Sequence, residues 1–312
     1  MARSLDFLII GAQKSASTFV HRALMDHPEI FMPPGEVNYF ERSIYEETRP
    51  QQFEALFAEA GNNQRIGIKR PDYLALPECA ERVASHSKGA KLIVVLRHPI
   101  QRALSAYYHY MSAAYFPIRE PEEGLAAILD GRWSQYPGAE TVLSYGRYGE
   151  ALEKWRKHFS PARIHVRLQE DLIADPTAEM DAIYRFLEIS PDHVSANIDR
   201  RSQAVVYSLE RARILSVWHR IARQWHPDRI NHNPRFGKLS HWIYGAGRVF
   251  DRKVLSRVWK AERGAISAEL SARLHDYYKE DLANLEELIG RDLTEWRMPV
   301  SEGDSSARVE HV

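Results

Sequence analysis

The sequence predicts an α/β fold built around a central, mostly parallel sheet, and three observations carry that prediction. Two short runs, LDFLII at 5–10 and KLIVVL at 91–96, are almost wholly apolar, the pattern of strands buried on both faces. Each is followed by a tight connection and then by residues spaced like a helix. The alternation continues through RIGIK at 65–69 and RIHVRL at 163–168, and strand–helix alternation points to a parallel sheet.

The elements follow in order. After the first strand, residues 16–26 read as a helix with Phe19, Val20, Ala23 and Leu24 on one stripe. It stops before HPEIFMPPGE, a loop marked by three prolines. The strand at 65–69 precedes a helix at 77–87. The run at 91–96 is the strongest strand signal in the chain. The following RHP puts a proline where a first helical turn accepts one, and a helix runs over 99–112. Residues 113–146 read as irregular, rich in Pro, Gly and Tyr, with a short helix at 122–130. A helix at 148–158 leads into the strand at 163–168, and another lies near 176–187. After about 190 no further strand is expected. Residues 204–226 and 251–289 read as mainly helical, joined by HPDRINHNPRFGKLSHW. The expected organisation is one domain over 4–297. Its α/β core covers 4–190, its helical part 191–297 packs back on that core, and a polar, disordered tail occupies 298–312.

Composition narrows the function. The 312 residues hold 42 basic and 42 acidic side chains. Zero net charge argues against non-specific nucleic-acid binding, so any anion must be held by local groups. The single cysteine, Cys79, cannot form an internal disulfide and fits a reducing compartment. The N-terminus lacks the apolar segment and cleavage site of a signal peptide. No run approaches the ~20 apolar residues that span a bilayer. A cytoplasmic protein without a membrane span is the expectation.

Chemistry concentrates at two strand–helix junctions. In LIIGAQKSAST, a strand, a glycine and a helix N-terminus form an anion site: free N–H groups and the helix dipole point outward. Small residues allow close approach, Ser15, Ser17 and Thr18 add hydroxyls, and Lys14 adds a positive charge. The bland alternative is a tight turn into a helix. The spacing is not that of a Walker A loop, because no glycine directly precedes the lysine, nor is there a G-x-G-x-x-G dinucleotide pattern. In KLIVVLRHPIQRALSAYYHY, Arg97 ends a strand and Ser105 lies two turns into the next helix. Carboxyl ends of parallel strands are where such sheets bind ligands, and an arginine fork with a hydroxyl suits a second phosphate. The bland alternative is a loop-capping arginine and a surface serine. Tyr107, Tyr108, Tyr110, Tyr115 and Tyr136 read either as an acceptor-pocket lining or as the rim of the core. The 14 histidines show no paired metal spacing.

With these segments in place, the sequence resembles the sulfotransferases that use 3′-phosphoadenosine 5′-phosphosulfate (PAPS), particularly the carbohydrate branch related to heparan sulfate sulfotransferases. The resemblance runs through FLIIGAQKSAST, PPGEVNYFERS, IGIKRPDYL, LIVVLRHPIQRALSAYYHY, YGEALEKWRKHF with IHVRLQEDLIADP, and YYKEDLANLEELIGRDLTEW. It implies a P-loop-like three-layer fold and sulfuryl transfer to a hydroxyl or amine of a glycan or small molecule. Lys14, Ser15, Ala16, Ser17 and Thr18 would hold the 5′-phosphosulfate, and Arg97 and Ser105 the 3′-phosphate. Lys14 would neutralise the leaving oxygen without a metal. Glu36 would be the general base, with His109 as its rival because other branches use histidine, and Lys69 would steady the sulfuryl oxygens or the acceptor. Two positions depart from the pattern: Ala16, where glycine is common, and Arg70, where the heparan branch usually has serine. The alternatives are a P-loop small-molecule kinase, which would need an acidic metal ligand at a strand end, and a non-catalytic nucleotide-binding protein. Oligomeric state is not legible.

Overall fold

The computed structural model describes residues 4–196, 206–225, 232–260 and 264–297. The chain packs as two compact units: Met1–His98 with Arg147–Ser202 and Glu280–Leu293, and Pro99–Gly146 with Gln203–Lys279 and Thr294–Val312. The expected disordered tail at 298–312 lies outside the described residues.

The first unit holds a five-stranded, all-parallel sheet. Its strands are β1 (Phe7–Gly11), β2 (Ile30–Phe31), β3 (Arg65–Lys69), β4 (Lys91–Leu96) and β5 (Ile164–Leu168), in spatial order β2-β3-β1-β4-β5. Leu8 sits opposite Ile68 on one side and Leu92 on the other, and Ile93 opposite His165. The two most apolar runs therefore take the positions that water never reaches. Alternation along them feeds two layers: Phe7, Ile9, Ile93 and Val95 pack with Val20 and Leu24 of the helix Ser17–Met25 and with Met180 and Ile183 of the helix Pro176–Leu187. Leu8, Ile10, Leu92 and Val94 are equally buried. The edges are blunted, as stable sheets require: β2 has two residues, and β5 carries His165 and Arg167, the latter ion-paired to Glu179.

The chain leaves β1 toward the β2 edge and leaves β4 toward the β5 edge. Their carboxyl ends therefore flank a topological switch point, where open parallel sheets place ligands.

The second unit is mainly helical among its described residues, with helices Pro99–Ser112, Pro121–Leu129, Leu209–Ala222 and Lys238–Phe250. Tyr107 and Tyr108 are core residues: Tyr107 Oη donates to the Arg119 carbonyl and Tyr108 Oη accepts from Gly264 N. Three expectations need correction. Strands do not stop after 190, because β6 (Arg223–Trp225) pairs antiparallel with β7 (His232–Pro234); runs of three residues are too short to show a period of two. The joining segment is not loop throughout, since its last residues open the helix at Lys238. The proline-marked loop after the first helix contains β2, whose Ile30 pairs with Arg65.

Candidate active site

β1 ends at Gly11, where nothing larger fits: a Cβ there would lie 2.6 Å from Leu74 Cβ. The strand direction continues one residue further, with Ala12 N donating to the Val95 carbonyl at 2.7 Å. The chain then turns through Lys14 and Ala16, both left-handed at φ 67° and 65°, and the helix starts at Ser17. Its first internal bond runs from Phe19 N to the Ala16 carbonyl at 2.9 Å, so the preceding N–H groups belong to the open first turn. Ser15 Oγ is fully buried and has no hydrogen-bond partner among the described residues. A buried hydroxyl in that state costs free energy unless a ligand satisfies it, and it lies in the loop whose N–H groups suit an anion. These residues fit a phosphosulfate group.

β4 supplies the second wall. Arg97, just past its end, donates from Nη1 to the Lys14 carbonyl at 3.3 Å, and Tyr148 Oη donates to the Arg97 carbonyl at 3.0 Å. The neighbouring His98 N donates to Glu170 Oε1 at 3.3 Å. Burial pushes the Glu170 carboxyl up.

β3 brings the third component. Its last residue, Lys69, is 4% exposed. Lys69 Nζ donates to Thr18 Oγ1 at 3.0 Å and pairs with Glu36 Oε1 at 3.1 Å. Glu36 is delivered there because Val37 N donates to the Lys69 carbonyl at 3.0 Å. The other Glu36 oxygen accepts from Arg70 Nη1 at 2.7 Å. Arg70 also binds Glu41 through Nε and Asp72 through Nη2 at 2.9 Å, and Gln13 Nε2 donates to Asp72 Oδ1 at 2.9 Å. One chain of polar contacts thus runs from Thr18 through Lys69, Glu36, Arg70 and Asp72 back to Gln13. Burial alone would raise the Glu36 carboxyl; the Lys69 and Arg70 charges outweigh it and hold Glu36 below the ordinary carboxylate range. Burial raises Asp72 despite Arg70. His21, one turn beyond Ser17, is buried, and burial reinforced by the Lys69 charge pushes its imidazole down to about 4.

Lys14, Ser15, Ala16, Ser17, Thr18, Glu36, Lys69 and Arg97 are thus gathered at one end of the sheet of the first unit. Ser105 and His109 belong to the helix Pro99–Ser112 of the second unit, where Ser105 is buried and His109 is exposed. Sequence reasoning missed His21, Glu41, Asp72 and Gln13. The repeat of Ser17 and His21 at helical spacing and the acid two residues after Arg70 were the available signals. Among the described residues no group of His, Cys, Asp or Glu side chains could hold a metal ion.

Known proteins resemble this chain in sequence or in fold. Heparan sulfate glucosamine 3-O-sulfotransferase 3B1 of Homo sapiens is 29% identical over 184 residues, which cover 58% of this chain and 45% of that protein. The bifunctional heparan sulfate N-deacetylase/N-sulfotransferase 1 of Caenorhabditis briggsae is 28% identical over 197 residues, or 59% of this chain and 22% of that protein. The chain therefore spans less than half the length of these relatives. The crystal structure of a sulfotransferase from Alicyclobacillus acidocaldarius aligns over 96% of this chain and 100% of its own, with a TM-score of 0.65 at 22% identity, and so shares the fold. The sulfotransferase domain family matches residues 4–286, and the chain belongs to that family.

Proposed function

We propose that this protein transfers a sulfuryl group from PAPS to a hydroxyl or amine of a glycan. The observation that carries the reading is Lys69, whose ammonium touches both Thr18 at 3.0 Å and Glu36 at 3.1 Å, tying the anion-binding loop to a carboxylate. When bound, PAPS supplies an activated sulfuryl group and a leaving oxygen that takes up charge. Lys14 and the open N–H groups after it hold the phosphosulfate, and the Lys14 charge offsets the charge that develops on the leaving oxygen. Arg97 takes the 3′-phosphate, with Ser105 assigned to the same phosphate by its sequence motif alone. Glu36 accepts the proton of the attacking hydroxyl, and His109 is the rival base on motif grounds. Lys69 and Arg70 orient the Glu36 carboxylate and keep it ionised. In this reading the Lys14 charge neutralises the leaving oxygen and no metal is required.

The glycan assignment rests on the heparan sulfate relatives and on the Glu36 and Lys69 segments. A cytoplasmic setting is proposed from the lone, buried Cys79; no helix among the described residues is long and apolar enough to cross a membrane. The test is mass spectrometry of a glycan and small-molecule library incubated with PAPS and the protein. An acceptor gaining a sulfuryl group in step with formation of adenosine 3′,5′-bisphosphate supports the reading. Phosphoryl transfer from ATP and magnesium, or nucleotide binding with no turnover on any acceptor, refutes it.

A further inference from the structure

The helix Lys238–Phe250 turns an apolar stripe outward. Leu239, Trp242, Ile243, Ala246, Val249 and Phe250 recur at spacings of three and four, which places them on one face about 120° wide. Most of the face is exposed, with Trp242 79% and Leu239 58% exposed and only Ile243 half-buried. The buried contact of this helix is a different side, where Ser240 and Gly247 are covered and a Cβ on Gly247 would lie 3.0 Å from Trp218 of the helix Leu209–Ala222. Exposed apolar side chains continue past the helix at Val254 and Val258.

The charge around the stripe has one sign. Residues 232–260 contain seven lysines and arginines and a single acid, Asp251, in a chain whose total charge is zero. Asp251 is already occupied, because Arg211 holds both its oxygens at 2.8 and 2.9 Å. Lys238, Arg248, Arg252 and Lys253 are exposed. A partner must therefore be apolar in its interior and negative at its rim. A glycan would use a tryptophan and the cations but would leave leucine, valine and phenylalanine wet.

We propose that the segment 236–260 docks the protein on a membrane surface bearing anionic lipid, with Leu239 and Trp242 entering the interface and the basic residues meeting the headgroups. Helices of this composition lie in the interfacial plane rather than crossing it, and clustered lysine and arginine add attraction that salt screens. Docking of this kind would keep the enzyme close to acceptors carried by a membrane.

The full chain is sedimented with vesicles of phosphatidylcholine alone and of phosphatidylcholine with phosphatidylglycerol. Binding to the anionic vesicles, weakened by salt and absent on the neutral ones, is expected. The pair Leu239→Ser and Trp242→Ser should weaken it by about tenfold or more, as should Arg252→Glu with Lys253→Glu, at unchanged melting temperature because these side chains are exposed. No binding to anionic vesicles overturns the proposal, as does full binding by the Leu239→Ser, Trp242→Ser protein. A wild-type dimer split by those same two substitutions would give the face to a second copy instead. Retention on heparin without vesicle binding would give it to a polyanion.

Discussion

At the residue scale, the pairing of Glu36 with two cations decides how it can work. Its side chain is 39% exposed, so it is reachable, yet Lys69 and Arg70 keep it ionised. Glu36→Gln should lower turnover by about 10²–10⁴-fold while leaving nucleotide affinity nearly unchanged. A fully active Glu36→Gln protein beside an inactive, folded His109→Gln protein would move the base to His109. Arg70→Ser removes one of the cations, so Glu36 should rise toward its ordinary value and the acidic limb of the pH–rate profile should shift upward. An unmoved limb would show that Arg70 does not tune Glu36. The same change strands the buried Glu41 carboxylate, which should cost about 3–5 kcal/mol of stability in urea titrations. His21 makes a separate forecast. Its folded value, about 4, lies below the ordinary 6.5, so the neutral ring is favoured by folding. Its contribution is fully present above pH 6.5 and is lost as pH falls toward 4. The wild type should lose up to about 3 kcal/mol over that window, and His21→Gln should flatten the slope; an equal slope in both proteins would assign the loss to other groups.

At the element scale, the connection from β1 to the helix at Ser17 carries two left-handed residues that are not glycine. A side chain in that region costs about 1 kcal/mol or more, partly offset by the greater unfolded-state entropy of glycine. Ala16→Gly should therefore raise stability by roughly 0.5 kcal/mol and leave the loop able to bind its anion. Thermal unfolding with and without adenosine 3′,5′-bisphosphate checks both points, and a clear loss of stability would mean that the Ala16 methyl makes a contact worth more than the strain. The loop is held from the β4 side of β1. Val95 fixes Ala12 through the backbone, and Arg97 holds the Lys14 carbonyl. Its shape is thus a property of the sheet as much as of its own residues.

At the scale of the whole molecule, ligand binding should be read in stability. Adenosine 3′,5′-bisphosphate should raise the melting temperature by mass action on the folded state, and ATP much less, because it lacks the 3′-phosphate assigned to Arg97. Equal stabilisation by the two would remove that assignment. Arg97→Ala should weaken the bisphosphate by about 2–4 kcal/mol in calorimetric titration, since a charged group loses its fork. It should also loosen the Lys14 loop that Arg97 now holds.

The sequence by itself determined the parallel sheet and its central strands, because LDFLII and KLIVVL are too apolar to be anywhere else. It also marked the strand–helix junction where Lys14, Ser15, Ser17 and Thr18 stand, and it pointed to the family through six ordered segments. Short elements stayed hidden: β2, β6 and β7 have two or three residues, fewer than a period needs to declare itself, and pairing rather than propensity makes them strands. What only the tertiary structure decided is which charges meet. Lys69 and Thr18 are 51 residues apart, Arg70 and Glu36 are 34 apart, and no local pattern announces either pair. β3 lies beside β1, and the chain at Val37 pairs with Lys69. That juxtaposition sets the ionisation of Glu36, because electrostatic coupling falls with distance in space and not along the chain.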